Sequence, residues 1–374
     1  MNFDITEEQQ LVKDSVTRFV QDNYELETRM AASTANPGYS EEHWQTFAEL
    51  GWLGLPFSEE DGGFGGNAID TMLMFEEFGK GLVLEPYLAS VVLGGGVLRH
   101  GASTEQKSEL ITKLAAGELK LALAYSEEQS RFDLHDVTTS ARAEGTDFVL
   151  NGAKSMVLNA ETADHIIVSA RTSGGQVDKD GISLFLIPRS AEGFDVKSFP
   201  TVDGLRAAEI TLQDVKVPGT SLIGREGNGY VTLNAAINDG ILAIAAEAIG
   251  GMEVLYKDTV AYTQEREQFD HPMSDFQVVQ HRLVEMFMEY EQCKSLLYRA
   301  TLEQAQSAPT AQRTIHALKH MVGKAGYFIG ENAVQLHGGM GMTEELRVAH
   351  YFKRLLVIDA QFGNSDHHLE LFAA

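Results

Sequence analysis

Hydrophobic and polar positions repeat with a helical period near both ends of the chain and with a strand period in its middle. Thr6 and Gln9 form the pattern of a capping box, which predicts the start of a first helix. The apolar residues that follow at helical spacing are Leu11, Val12, Val16, Phe19 and Val20. The chain is therefore expected to open with an amphipathic helix.

A second helical segment ends at a glycine. Trp44, Phe47 and Ala48 share one face of it, and Gly51 suits its C-terminal end. The glycine-rich loop 59–66 comes next. We interpret this loop as a tight turn between helices, because no strand precedes it as a phosphate-binding loop would require.

The middle of the chain, from about Leu121 to Ile223, changes to short β-branched and aromatic runs between turn residues. Asn151-Gly152 is predicted to be the turn of a hairpin. Residues 165–170 and 182–188 look like buried strands, and residues 209–218 alternate with period two. These patterns predict a small antiparallel β unit of roughly 100 residues.

Long helical patterns return in the last part, over residues 230–264, 275–306 and 310–335. Each is longer than an average helix, which indicates a bundle. The order of helices, strands and helices predicts an α+β chain of three domains. They are an all-α domain over 1–120, a β domain over 121–225 and a helical-bundle domain over 226–374.

Composition narrows the functional classes. The chain has 374 residues, enough for two or three packed units. It has 29 Lys and Arg against 54 Asp and Glu, a formal net charge of −25. So acidic a surface is expected to repel nucleic acid and anionic membrane, whereas a few local cations or helix N-termini suffice for an anionic ligand.

The sequence favours a reducing compartment. Cys293 is the single cysteine, so no intramolecular disulfide can form, and we expect it to be structural. The opening Met1-Asn2-Phe3-Asp4 has neither a basic nor an apolar region, so we expect no signal peptide. The most apolar window, 240–255, is too short and too polar to span a bilayer. We therefore expect a cytoplasmic protein.

Four stretches, in order, resemble the acyl-CoA dehydrogenase family, and together they cover nearly the whole chain. They are Leu50-Gly51-Trp52-Leu53-Gly54-Leu55-Pro56 with Glu60-Asp61-Gly62-Gly63, then Asn151-Gly152-Ala153-Lys154 with Asn159-Ala160, then Arg266-Glu267-Gln268-Phe269 with Phe276-Gln277, and Gln335-Leu336-His337-Gly338-Gly339-Met340-Gly341 with Thr343-Glu344-Glu345. The resemblance implies an N-terminal helical domain, a central β-barrel and a C-terminal four-helix bundle, usually assembled as a tetramer.

The resemblance also implies FAD, held partly by a neighbouring subunit. In the family, an Arg-x-x-Phe segment serves the adenine-diphosphate half of FAD, and glycines let backbone N–H groups approach the pyrophosphate. Without the other motifs, Arg266 and Phe269 would be interpreted as a surface cation beside a core ring. Gly338-Gly339 alone would be interpreted as a helix C-cap. The cofactor-binding residues predicted on this basis are Ser126, Val157, Leu158, Arg266, Gln268, Phe269, Phe276, Gln277, Gln335, His337, Gly338 and Gly339.

The family's reaction is α,β-dehydrogenation of an acyl-CoA thioester, in which a carboxylate removes the α-proton and flavin accepts the β-hydrogen as hydride. The two positions that usually carry this carboxylate are Phe362 and Gly240 here. Glu247 lies on nearly the same helix face as Gly240, in an apolar stretch that would desolvate it and raise its pKa. We predict Glu247 to be the base, with a buried Glu paired to a cation of another helix as the alternative.

The segment expected to touch the flavin ring is altered. Ser126 keeps a hydroxyl where the family has Thr, but the family's Pro and Gly are lost from the residues that follow. The family's Trp-Ile-Thr corresponds to Met156-Val157-Leu158, which removes a stacking ring and a hydroxyl. These departures remove side-chain contacts that the resemblance implies for the flavin ring, and backbone groups can serve the ring edge instead.

The C-terminal part, from His350 to Leu369, resembles the small subunit of pimeloyl-CoA dehydrogenase and its relatives, which are partners of a larger dehydrogenase chain. His367-His368 is not expected to bind a metal, because adjacent helix residues point about 100° apart. Three functions stay open. The chain could be a catalytic subunit passing electrons to an electron-transfer flavoprotein, a half-site partner in a hetero-tetramer, or an oxidase on the same fold.

Overall fold

The computed structural model describes residues 5–374, which fall into two compact units. The first unit contains residues 5–31, 68–83 and 241–374, and the second contains residues 32–67 and 84–240. Met1–Asp4, on which the expectation about a signal peptide rests, lies outside the described residues. The division into three domains at 120 and 225 stays a prediction from sequence.

Within residues 5–374, six α-helices precede the sheet. They are α1 (Glu7–Asn23), α2 (Leu26–Thr34), α3 (Glu41–Glu49), α4 (Ala68–Gly81), α5 (Gly95–Gly101) and α6 (Thr104–Ala115). The capping box predicted for α1 is confirmed, with Gln9 N donating to Thr6 Oγ1 and Thr6 N donating to Gln9 Oε1. Trp44 and Phe47 of α3 are buried, and Gly51 takes a left-handed φ of 76° just after that helix, also as predicted.

The middle of the chain forms one eight-stranded sheet, whose strands follow the path β6-β7-β3-β2-β4-β5-β8, with β1 paired to β4. The strands are β1 (Leu121–Ala124), β2 (Ser140–Glu144), β3 (Asp147–Leu158), β4 (His165–Arg171), β5 (Ile182–Pro188), β6 (Phe194–Pro200), β7 (Arg206–Pro218) and β8 (Leu222–Ile223). Most neighbours are antiparallel, but β1 and β2 run parallel to β4, so the sheet is mixed rather than antiparallel throughout. Buried side chains of β1 to β5 and β7 form a single hydrophobic cluster, and partly buried side chains of β6 pack against it.

The predicted hairpin turn at Asn151-Gly152 is wrong. Both residues lie inside β3, and the two-residue turn is Gly145-Thr146, between β2 and β3. Gly152 takes a φ of 151° where the register between β3 and β7 shifts. Asn151 bridges this bulge, because its Nδ2 donates to Asp214 Oδ1 at 3.0 Å and its Oδ1 accepts from Asp214 N at 2.9 Å. The Asn-Gly pair therefore serves a β-bulge, which uses the same conformational freedom as a turn.

In the described part of the chain, five α-helices follow the sheet, with a short hairpin between the first two. The helices are α7 (Gly229–Glu265), α8 (Gln277–Ala305), α9 (Ala311–His337), α10 (Arg347–Ala360) and α11 (Ser365–Ala373), and the hairpin strands are β9 (Glu267–Gln268) and β10 (His271–Pro272). The three long helices expected from the pattern are confirmed as α7, α8 and α9. In the first unit α9 packs against α8, α10 and α11, and α4 packs against α1 and α8.

Helix α7 is long and apolar enough to cross a membrane by length and composition alone, in contrast to the expectation that the window 240–255 is too short and too polar. Its most apolar window is 89% buried inside the protein, as expected for a core helix. Gly250 lets this helix approach α4 closely, because a Cβ at Gly250 would lie 2.0 Å from the carbonyl oxygen of Glu76. Gly79 of α4 makes the reciprocal contact, since its Cβ would lie 2.0 Å from the carbonyl oxygen of Glu247. Two backbones thus touch where Glu247 is placed.

Candidate functional site

The hairpin after α7 projects an aromatic ring into solvent. Its turn is made by Phe269 and Asp270, which take left-handed φ angles of 57° and 64°. Phe269 is 85% exposed, and its ring meets Phe276 edge-on at 6.4 Å between centroids. The side chains of Arg266, Gln268 and Gln277 are exposed as well. An exposed aromatic ring is costly to leave in water, and on a hairpin that also carries an exposed guanidinium it is suited to stack on a heteroaromatic ligand.

Helix α9 ends in an open glycine turn. Gly338 takes a φ of 64° at the helix terminus, and a Cβ built at Gly338 or Gly339 would meet no atom within 4 Å. Gln335, one turn earlier, is exposed. The open space is what backbone N–H groups need to approach an anionic ligand.

A ring contact joins these two parts of the first unit. His337 stacks on Tyr262 with 4.3 Å between ring centroids and 24° between planes. His337 Nδ1 donates to the Ala333 carbonyl at 2.8 Å, and the Arg266 N–H donates to the Tyr262 carbonyl at 2.8 Å. The structure therefore brings the Arg266 hairpin and the glycine turn close together, and the binding role of their residues stays a prediction. No sequence motif marks Tyr262, which makes the link.

The predicted flavin-ring residues lie in the second unit. Ser126 follows β1, and its carbonyl accepts from Ser155 N of β3 at 2.9 Å. Ser126 and Leu158 are half-buried, whereas Val157 is 2% exposed and belongs to the core cluster of the sheet. The side chain of Val157 therefore faces the core, and only its backbone is left for a ligand. Met156, at the family's Trp position, is 53% exposed with a left-handed φ of 53°.

Glu247, predicted as the base, is buried in an ion pair with Arg354 of α10. Arg354 Nε donates to Glu247 Oε1 at 2.6 Å, and Arg354 Nη2 donates to Glu247 Oε2 at 2.7 Å. Glu247 is 7% exposed and Arg354 is 4% exposed. A buried Glu paired to a cation of another helix is the alternative to the base, and no sequence motif marks Arg354 as that cation. The role of Glu247 as base stays a prediction.

The turn that follows α10 carries Phe362 in place of the family's glutamate. Phe362 takes a left-handed φ of 57°, and Lys319 of α9 pins the turn by donating to the carbonyls of Asp359 and Gly363 at 2.8 and 2.7 Å. Burial lowers the pKa of Lys319 to about 8. A neutral ring on a fixed turn supplies no proton acceptor at this position.

Cys293 and His368, the remaining candidates for reactive or metal-binding side chains, are both held inside the fold. Cys293 is buried, and burial raises the pKa of its thiol to about 12, which makes it unreactive and fits the predicted structural role. His368 Nδ1 lies 3.0 Å from His316 Nδ1, and its Nε2 donates to the Phe362 carbonyl. Burial, with help from Lys319, lowers the pKa of His368 to about 3. Across residues 5–374, no group of three His, Cys, Asp or Glu side chains is placed to hold a metal ion.

Comparison with known proteins gives one family along the whole chain. The acyl-CoA dehydrogenase N-terminal, middle and C-terminal domain profiles match residues 6–118, 122–215 and 227–374. The chain is 30% identical over 371 residues to a probable acyl-CoA dehydrogenase, YngJ, of Bacillus subtilis, covering 98% of this chain and 97% of that one.

Two examples of solved structures with this fold are the following. The FAD complex of PigA matches with a TM-score of 0.92 and 28% identity over 100% of this chain and 98% of that chain. Butyryl-CoA dehydrogenase of Megasphaera elsdenii matches with a TM-score of 0.91 and 25% identity over 100% of this chain and 99% of that chain. These likenesses confirm the predicted architecture of helical N- and C-terminal parts around a central sheet. The chain belongs to the acyl-CoA dehydrogenase family.

Proposed function

We propose that this chain binds FAD and takes part in the α,β-dehydrogenation of an acyl-CoA thioester. The observation that carries the proposal is the open Gly338-Gly339 turn, joined through the stack of His337 on Tyr262 to the exposed Arg266 hairpin. The open space over the glycine backbone fits a pyrophosphate, and the exposed cation and ring of the hairpin fit the adenine half of a dinucleotide. Membership of a family with FAD-bound relatives supports the same conclusion.

The residues that would hold FAD supply different kinds of contact. In the first unit, Arg266 supplies a cation, Phe269 supplies a ring, and Gly338 and Gly339 supply backbone donors. Gln268, Phe276, Gln277, Gln335 and His337 flank these groups. In the second unit, Ser126 supplies a hydroxyl, while Val157 and Leu158 supply backbone groups for the ring edge.

Glu247 is the proposed base in the catalytic form of this function. FAD, when bound, supplies the acceptor for the β-hydrogen of the thioester. Glu247 takes the α-proton on a carboxylate oxygen, which requires Arg354 to release that oxygen from the closed ion pair. The apolar surroundings of Glu247 exclude water and strengthen its interaction with an acidic C–H.

Purification of the chain alone tests this function. A catalytic chain carries FAD in stoichiometric amount, and its flavin bleaches when acyl-CoA thioesters are added without oxygen. Glu247→Gln should keep the yellow flavin and lose at least about 100-fold in turnover. Glu303→Gln is the matched control, because Glu303 is also a buried helical carboxylate hydrogen-bonded to an arginine, Arg299. Unchanged turnover in Glu247→Gln would remove the base assignment.

A second function, a half-site partner subunit, is favoured by the closed Glu247–Arg354 pair. The pair needs no opening if Glu247 is structural, and Phe362 then leaves the chain without a base of its own. In this case a homologous, larger dehydrogenase chain completes the flavin sites of a hetero-tetramer. The chain alone would be colourless and would gain FAD only with that second chain.

The same preparations separate the remaining alternatives. A homo-tetramer that reduces an electron-transfer flavoprotein supports the catalytic subunit. Rapid release of peroxide in air after acyl-CoA addition supports an oxidase. A panel of thioesters of differing length and bulk, scored by flavin bleaching, identifies the acyl group.

A further inference from the structure

A buried ion pair in the second unit adjoins the segment predicted to contact the flavin ring. Lys154 of β3 is 1% exposed and Glu127 is 3% exposed. Lys154 Nζ donates to Glu127 Oε1 at 2.7 Å, to Ser169 Oγ at 3.0 Å and to the Tyr125 carbonyl at 3.3 Å. All three ammonium protons therefore have acceptors, as a buried lysine requires.

Glu127 is equally saturated. Its Oε1 accepts from Thr139 N at 3.0 Å besides Lys154. Its Oε2 accepts from Thr138 N and Gln129 Nε2, each at 2.8 Å, and from the Thr138 hydroxyl. Burial disfavours the charged forms, but Lys154 and these donors outweigh it for the carboxyl and hold the pKa of Glu127 below its usual range. For Lys154, burial prevails and lowers the pKa of the ammonium.

The pair joins the two segments that carry the predicted ring contacts. Glu127 follows Ser126 directly, and Lys154 precedes the bulge of β3 that leads to Val157. The hydrogen bond from Ser155 N to the Ser126 carbonyl lies between them. A shift of Glu127 relative to Lys154 would therefore displace Ser126 from β3.

This chain has a particular need for the pair. Arg131 takes a left-handed φ of 49° at the position where the family has Gly, a backbone conformation that is unfavourable for a residue with a side chain. Glu128 replaces the family's Pro, so the loop also lacks a fixed φ. The side-chain bonds to Glu127 hold the loop where that backbone restraint is missing.

We propose that Lys154 and Glu127 are positioning residues for flavin, which set the loop beginning at Ser126 against β3 so that both reach the ring edge. This inference rests on the proposed function, because it takes FAD as the ligand. Preorganisation of a binding segment by buried, fully bonded groups raises affinity by removing the cost of ordering it.

A double variant separates positioning from folding. Lys154→Met alone leaves the Glu127 carboxylate buried and uncompensated, so stability and flavin binding fall together. Lys154→Met/Glu127→Gln removes both charges and is expected to recover much of the thermal stability. Its Kd for FAD should stay raised by about tenfold or more, the equivalent of one lost charged hydrogen bond. Lys216→Met is the control, since Lys216 pairs with Glu144 in the same sheet at 3.6 Å but is 74% exposed.

Hydrogen exchange of the FAD-free protein gives an independent measurement. The Ser155 amide should exchange faster in the double variant, and in Lys216→Met it should keep its protection. If the double variant does not fold, Ser169→Ala removes one acceptor of Lys154 without changing charge, and it should raise the Kd for FAD in the same direction.

The outcomes distinguish this inference from the function on which it rests. A wild-type Kd for FAD in a folded double variant would overturn the positioning role and leave FAD binding intact. A wild-type chain that binds no FAD, alone or with a larger dehydrogenase chain, would overturn both.

Discussion

Glu247 and Arg354 form a bidentate ion pair in which both carboxylate oxygens accept from one guanidinium, at 2.6 and 2.7 Å. The pair joins the middle of α7 to α10, and both side chains are nearly inaccessible to solvent. The carboxylate is desolvated as the sequence indicates, but it is not unpaired. Its position between two helices makes the pair a structural contact whatever else Glu247 does.

We expect removal of either partner of this pair to destabilise the chain strongly. Arg354→Met leaves a buried carboxylate without its cation, and Glu247→Met leaves a buried guanidinium, each costing about 3–5 kcal/mol. The double variant should lose far less than the sum of the two, because two well-packed methionines carry no uncompensated charge. Urea unfolding of all four proteins measures this coupling free energy. Additive losses would mean that the pair contributes no net interaction.

The close approach of α7 to α4 depends on glycine. Gly250→Ala should destabilise the protein by about 2 kcal/mol or more, because its Cβ would lie 2.0 Å from the Glu76 carbonyl, and backbone must move. Gly251→Ala is the adjacent control. Its Cβ would meet Tyr351 at 3.4 Å, an ordinary contact, so the helix propensity of Ala makes this variant neutral or up to about 1 kcal/mol more stable. Equal melting temperatures for the two variants would contradict the close approach.

The sequence predicts elements whose signals are local. The capping box of Thr6 and Gln9, the buried face of Trp44 and Phe47, and the long helices α7 to α9 are confirmed, because spacing and caps lie within one segment. The hairpin turn predicted at Asn151-Gly152 is wrong because a turn and a β-bulge require the same backbone freedom from the same residues. Only the pairing of β3 with β7, a contact between distant segments, distinguishes the bulge from a turn.

The candidate site shows the same limit. Arg266, Phe269 and Gly338 could be predicted because each lies in a short motif. Tyr262 and Arg354 could not, because an aromatic or an arginine on an amphipathic helix has the same pattern whether it faces a core, a partner or a ligand. Their partners are 75 and 107 residues away along the chain, as the contacts of Tyr262 with His337 and Arg354 with Glu247 show.

Glu85, in the second unit, should make stability depend on pH near neutrality. Burial raises the pKa of Glu85 from 4.5 to about 7, although Ser40 N donates to its carboxylate and His43 Nδ1 lies 3.2 Å away. The folded chain therefore holds this proton more tightly than the unfolded chain. The stability that protonated Glu85 contributes is complete below pH 4.5 and is lost as the pH rises to about 7.

Glu85→Gln removes this titration. We expect the variant to gain stability relative to wild type between pH 5 and 8, by up to about 3 kcal/mol for a shift of this size. Urea unfolding of both proteins at the two pH values measures the difference, and every other titrating group cancels in the comparison. A difference that does not change with pH would show that Glu85 is charged in the fold throughout.

Gly339 separates flavin binding from folding most directly. Gly339→Ala should leave the stability of the FAD-free chain unchanged, because the added Cβ meets no atom within 4 Å. The same methyl group would stand where a pyrophosphate approaches the backbone, so the Kd for FAD should rise by about tenfold or more. Met342→Ala is the control, since Met342 is 71% exposed in the same turn and has no predicted contact. Fluorescence titration of FAD into the three proteins, with melting temperatures measured in parallel, tests both halves. An unchanged Kd in Gly339→Ala would place the pyrophosphate elsewhere, because a ligand held by this turn cannot tolerate a side chain between itself and the backbone donors.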